Sequence, residues 1–334
     1  MGIFSSVIIA FVFGAFVMWL SRIVFTFNYR KHSRYSIAIF GGIAFTALSY
    51  FIFMKGLGKS PYLPAEVRDY IDQNLGFLIC ITFVVSAVVM EFLHLCRVNI
   101  FKFTVLMGTF ALAMAFAGND LVNFIGVPLA GLSSYQDYMA NANGAAPDQF
   151  MMTSLMESAK TTPGFLLVAG AVMIIAMATS KKAQNVIKTS VDLSRQDEGD
   201  EMFGSSSAAR VIVRNCQATD SWLKQFMPKA LMNWINSRFD KNNVELEESA
   251  AFDVVRAAVN LVLASMLITI GTNLKLPLST TYVTFMVAMG SSLADRAWSR
   301  ESAVFRVTGV LSVIGGWFIT AGVAFAACAI VCII

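Results

Sequence analysis

The sequence predicts an all-α fold, a polytopic bundle of transmembrane helices with one broken helix and one re-entrant helical hairpin. Three observations predict it. Of 334 residues, 57% are hydrophobic and only 14% charged, whereas soluble globular domains carry about a quarter charged residues. The apolar residues fall in runs long enough to cross a bilayer core. Two of those runs are interrupted by short polar stretches, residues 117–131 (AGNDLVNFIGVPLAG) and 272–281 (TNLKLPLSTT).

Residues 1–102 are expected to form three transmembrane helices, the end of a preceding repeat. The first run, residues 3–20, has no basic residue before it and no small-residue cleavage site after it, so it reads as a span and not as a signal peptide. Arg22, Arg30, Lys31 and Arg34 follow it, and the positive-inside rule assigns them to the cytoplasm. Residues 36–54 then run outward to a loop of balanced charge, and residues 76–96 return to Arg97 and Lys102. Glu91 and His94 fall in the last turn of that span, where a solvated interfacial role is expected.

Residues 103–180 are expected to hold the broken helix and a return helix. The run over residues 103–132 would be about 45 Å long as one helix, more than a bilayer core requires. Asp120, Asn119 and Asn123 then fall at hydrocarbon depth, where a carboxylate is costly and marks a polar path or a binding site. The structural alternative is a short helix ending at Ala117, with Asp120 capping the next one. Asn119 and Asn123 are four apart and Asp120 and Asn123 three apart, so a helical turn gathers them on one face. Residues 133–163 form an acidic outside segment, and residues 164–179 come back to Lys181 and Lys182.

Residues 181–249 are expected to be a cytoplasmic linker with an amphipathic helix. They carry ten basic and ten acidic residues, so with no net positive charge they exclude a nucleic-acid partner. Their first half reads as flexible chain. In the second half Trp222, Phe226, Leu231, Trp234, Ile235 and Phe239 interleave with Lys224, Lys229 and Arg238. That pattern suggests a helix lying along a membrane surface or packed on the cytoplasmic loops, bent at Pro228.

Residues 250–334 are expected to form the hairpin and a final transmembrane helix. Pro277 followed by Ser279, Thr280 and Thr281 is a helix start with hydroxyl caps. If residues 252–273 and 282–294 made one crossing together, Arg296, Arg300 and Arg306 would lie outside. The positive-inside rule favours a hairpin that dips in from the cytoplasm and returns to it. Its tip would carry Lys275 near membrane depth; if the segment spans instead, Lys275 is a boundary residue. Gly315, Gly316 and Gly322 in the last run permit close helix approach. Five cysteines, four of them in apolar runs, suggest neither a disulfide framework nor a metal site.

Two interrupted helices in one membrane chain suggest a transporter. Half-helix N-termini offer unpaired N–H groups to an anion, and freed carbonyls can hold a coupling cation. At these residues the chain resembles a known family. Gly118-Asn119-Asp120-Leu121-Val122-Asn123 and Leu276-Pro277-Leu278-Ser279-Thr280-Thr281 are similar, in this order, to the GANDxxN and P-x-S-T-T signatures of the PiT family of inorganic phosphate transporters. Either element alone is weak; the ordered pair is specific. The resemblance covers roughly residues 103–334. It departs from the family at Ala117-Gly118, where Gly and then a small residue are usual, and at Tyr282, where His commonly follows the threonines.

The resemblance implies Na+- or H+-coupled phosphate transport by a multi-pass protein of the plasma or inner membrane, with no other cofactor. It implies substrate binding by Asp120, Asn119, Asn123, Ser279, Thr280 and Thr281, and cation binding by Asp120 and Asn123. Phosphate needs many donors, which hydroxyls and N–H groups supply. Asp120 would hold a cation or accept a hydrogen bond from protonated phosphate, whereas sulfate has no proton to give near neutral pH. Such carriers consist of two inverted repeats, whereas one copy of each motif is present here. The chain therefore reads as one half of an inverted-repeat transporter, completed by a second repeat or subunit. The alternatives are sulfate transport by the same architecture and a non-transporting structural half. An enzyme is not expected, because neither of the two histidines, His32 and His94, lies near either motif. The hairpin reading makes one direct prediction: a cysteine placed at Ser299 is labelled only from the cytoplasmic side, and labelling from outside would show that the segment spans.

Overall fold

The computed structural model describes residues 2–27, 34–50, 64–142, 144, 146–147, 149–151, 162–181, 204–211, 213–215, 228–239, 253–276, 278–295 and 300–333. Among them the chain is all-helical, without a strand. The helices are α1 (Gly2–Phe25), α2 (Arg34–Ser49), α3 (Ala65–Gln73), α4 (Leu75–Leu95), α5 (Ile100–Phe116), a π turn (Ala117–Leu121), α6 (Val122–Asn141) and α7 (Pro163–Thr179). They continue with α8 (Lys229–Arg238), α9 (Val254–Asn273), α10 (Thr280–Ala294) and α11 (Arg300–Ile333).

Among the described residues four stretches are long and apolar enough to cross a membrane: Ser5–Phe25, Leu75–Leu95, Ile100–Asn141 and Val254–Asn273. Large apolar side chains also stand on the outer surface of α7 and α11, among them Leu167, Ile174, Phe325 and Val331. A soluble monomer rarely exposes so much contiguous apolar surface, whereas lipid solvates it. The chain is therefore built as a membrane protein.

Two differences from the expected elements concern helix ends. Residues 65–73, expected as loop, form α3, whose Glu66 supports the first turn. The helical path expected to end at residue 132 continues to Asn141, because Ser133, Ser134 and Tyr135 do nothing to stop it. Pro128 lies inside α6. The continuation past residue 132 reflects how little single polar residues weigh against backbone hydrogen bonding in a helix already formed.

The helix ends follow local chemistry. At the end of α4, Arg97 takes a left-handed conformation, φ 63°. Its N–H reaches the His94 carbonyl at 3.0 Å and the Val98 N–H reaches the Leu93 carbonyl at 3.0 Å, a paired closure of the last turn. Asn99 then caps α5, accepting from the N–H groups of Phe101 and Lys102. α9 ends the same way: Lys275 has φ 54°, its N–H donates to Thr272 and that of Leu276 to Gly271.

Contacts divide the chain into two compact units. The first comprises residues 1–10, 33–190 and 260–285; the second comprises residues 11–32, 191–259 and 286–334. In the first unit α2 packs on α4 and α5. Gly42 lies against Ala87, where an added Cβ would meet it at 3.0 Å, and Gly41 lies against Met90 and Ile100. Ala44, Leu48, Ala111 and Val262 form a buried cluster with Met107, Met114 and Met266 around it. That cluster draws α2, α5 and α9 together. In the second unit α1 crosses α10 at backbone contact, with Gly14 facing Val287 and Gly290 facing Phe11 and Ala15. Any side chain at either glycine would meet backbone, so small residues set this crossing.

Candidate functional site

The first polar stretch remains helical, and its distinguishing feature is the π turn over Ala117–Leu121. A π turn inserts one residue into the helical path, and such turns cluster at functional positions. The local sequence favours it: Gly118 is a poor helix former, and Asn119 and Asp120 compete for backbone hydrogen bonds with their own side chains. α7 packs against this turn. Asn119 is buried and Asp120 half-buried. Their side chains are joined to each other, Asn119 Nδ2 donating to Asp120 Oδ1 at 3.0 Å. The side chain of Asn123, expected to share their face, lies outside the described residues, as does Pro277.

The second stretch comes to the same place within the first unit. α10 begins at Thr280, whose side chain is 2% exposed. Its hydroxyl donates to Asp120 and lies 2.9 Å from both carboxylate oxygens. Two motifs 160 residues apart in sequence are thus joined by one hydrogen-bonded pair. Asp120 does not cap α6, which starts without a side-chain cap at Leu121, so the capping alternative is replaced by a bond to another helix.

The remaining expected residues are placed differently. Ser279 is half-buried beside Thr280, and its carbonyl accepts from the Val283 N–H at 3.1 Å. Thr281 is exposed. Lys275 is also exposed and serves as the left-handed residue that closes α9, a position Gly usually takes. α10 runs back along α9: in the first unit Leu278 lies against Gly271, and in the second Arg256 donates to Ser292 at 3.3 Å.

Chemically, the two donors described on Asp120 are neutral, a carboxamide and a hydroxyl. A carboxylate offers about four lone-pair sites, so capacity remains for a cation or a proton. α10 begins at the Thr280 bonded to this carboxylate, and the first N–H groups of a helix have no partner within it. An acceptor for a cation and donors for an anion therefore adjoin one another.

Sequence reasoning missed a second set of charged residues, in the second unit. Arg22, expected in a cytoplasmic loop, lies in the last turn of α1 and is fully buried. It grips Asp295 with two nitrogens, Nε to Oδ1 and Nη2 to Oδ2, the latter at 2.7 Å. Nη2 also reaches Asp253 at 2.9 Å and Nη1 the Thr26 carbonyl at 2.7 Å. The guanidinium stands 4.0 Å from the centre of the Phe27 ring. Arg256 Nε approaches Asp295 at 3.2 Å, and Asp253 caps the start of α9 by accepting from the Arg256 N–H at 2.9 Å. Two guanidiniums and two carboxylates neutralise one another, which burial demands. A signal was present: Arg22, Asp253, Arg256 and Asp295 all stand at ends of apolar runs. Counting basic residues loop by loop hid the matching acids.

Comparison of the chain with protein-family models, with curated proteins and with solved structures gives no match in any of the three. The functional reading accordingly rests on the residues themselves. The buried cluster carries a stability prediction. Asp295→Asn leaves two buried guanidiniums with one carboxylate and is expected to cost about 3 to 5 kcal/mol, read as loss of monodisperse protein and a lowered unfolding temperature in detergent. An Asp295→Asn protein as stable as the wild type would show that the cluster does not hold these helix ends.

Proposed function

We propose that this chain transports inorganic phosphate across a membrane, coupled to Na+ or H+, through a site built on Asp120, Asn119 and the Thr280 end of α10. The observation that carries the reading is the bond from Thr280 to Asp120, which unites the two polar stretches of an otherwise apolar chain. Asn123, Ser279 and Thr281 complete the site in this proposal. The π turn is the interruption of the broken helix, and α9 with α10 is the re-entrant hairpin that brings its tip to the interruption.

The coupling follows from charge. An empty Asp120 is anionic and repels an oxyanion, and it also holds the one proton of the Thr280 hydroxyl. A cation or proton at Asp120 removes both obstacles. The hydroxyl then turns its proton toward phosphate, and the first-turn N–H groups of α10 add donors and a favourable dipole. Phosphate carrying a proton can also donate to Asp120, which sulfate cannot. By linkage, phosphate must raise cation affinity by the factor by which the cation raises phosphate affinity.

Phosphate uptake into proteoliposomes, with the chain reconstituted together with the repeat or subunit that completes the carrier, tests the reading. Asp120→Asn abolishes uptake while the protein stays folded in the membrane. Thr280→Val keeps the shape but removes a hydrogen bond to a charged ligand, which lowers phosphate affinity about ten- to a hundredfold. Uptake by Asp120→Asn at the wild-type rate would remove Asp120 from the site, and inhibition by sulfate as strong as by phosphate would reassign the substrate.

A further inference from the structure

The helix α8 (Lys229–Arg238, KALMNWINSR) has no part in the transport site, yet its side chains divide into three stripes. Met232, Ile235 and Phe239 make one, and Ile235 and Phe239 are buried, 7% and 5% exposed. This stripe is where α8 is held to the protein. Lys229, Asn233 and Asn236 make a polar stripe in water. Between them, at spacings of three and four that share one helix face, run Leu231, Trp234 and Arg238. Leu231 and Trp234 are 42% and 47% exposed, and the Arg238 guanidinium lies 5.5 Å from the centre of the Trp234 ring.

We propose that this Leu231, Trp234 and Arg238 stripe rests on an anionic bilayer surface. A helix serving only as a packing element has no use for an exposed Trp and Leu beside its buried face. A helix clamped between protein and lipid needs two adjoining apolar stripes and a polar third, which is the division found here. Trp suits the bilayer interface because its ring is apolar and its indole N–H is a donor. Arg238 buries its stem along Trp234 and holds its charge at the edge of the apolar stripe, level with lipid phosphates. Charge selects the lipid: α8 carries Lys229 and Arg238 and no acidic residue, so its attraction is to anionic and not to zwitterionic headgroups. The chain supplies proximity as well. Residues 239–253 link α8 to α9, a helix long and apolar enough to span, over at most about 50 Å of chain at full extension.

The test uses the full chain in nanodiscs, with Trp19, Trp222, Trp298 and Trp317 replaced by Phe so that Trp234 alone emits. Lipids brominated along the acyl chain are expected to quench it in discs containing phosphatidylglycerol and much less in phosphatidylcholine alone. Arg238→Gln should weaken the association about fivefold, the effect of one basic residue near a charged surface, and raised salt should act the same way. If the Trp replacements disturb folding, amide hydrogen exchange over residues 229–238 of the unaltered chain reads the same event, with slower exchange in the phosphatidylglycerol discs. Trp234 unquenched in both lipids, or exchange identical in both, overturns the proposal. Equal quenching in both lipids overturns the assignment to an anionic surface.

Discussion

A chain this apolar can bury charge only where it neutralises it, and the fork of Arg22 on Asp295 is where that constraint is met. A lone guanidinium or carboxylate in a medium of low dielectric loses several kcal/mol of hydration, so each buried ion dictates the position of its counter-ion. Arg22 ends α1, Asp295 follows α10, and Asp253 and Arg256 open α9. The ends of three helices in one compact unit must therefore meet. The glycine pair Gly14 and Gly290 lets the backbones of α1 and α10 come close enough to do so. Neither feature works alone, because the crossing positions the charges and the charges penalise any other crossing.

Asp120 breaks that pattern, and the contrast is what gives it meaning. Asp295 shares two guanidiniums and its charge is spent. The described donors to Asp120 are a carboxamide and a hydroxyl. The described partners of Asp120 thus carry no charge to offset its own, which is what supports the proposal of a mobile cation there. That Thr280 supplies the hydroxyl is the economical part of the arrangement, since the same oxygen sits at the start of a helix where an anion is stabilised.

Much of this was legible in residue order. Apolar runs gave helices, and the two polar stretches held Asn119, Asp120 and Thr280, which meet. What was not legible depended on register or on distance. The π turn over Ala117–Leu121 shifts the face on which Asn119 and Asp120 project, so spacing rules for an ordinary helix could not say that Asn119 would bond its neighbour Asp120. Thr281, part of the same triplet as Thr280, is exposed because helix geometry separates adjacent residues by about a third of a turn. Arg22 looked like a loop cation because its partner lies 273 residues away, and α3 looked like loop because its nine residues are mostly polar.

In the proposed mechanism a cation at Asp120 opens a phosphate site at Thr280. Equilibrium binding of radiolabelled phosphate to the purified chain in nanodiscs, with Na+ and pH varied independently, tests it most directly. The account predicts saturable phosphate binding that tightens as Na+ rises or pH falls and that excess sulfate does not displace. Phosphate binding that is absent under all these conditions, or that is indifferent to both cations, would contradict it.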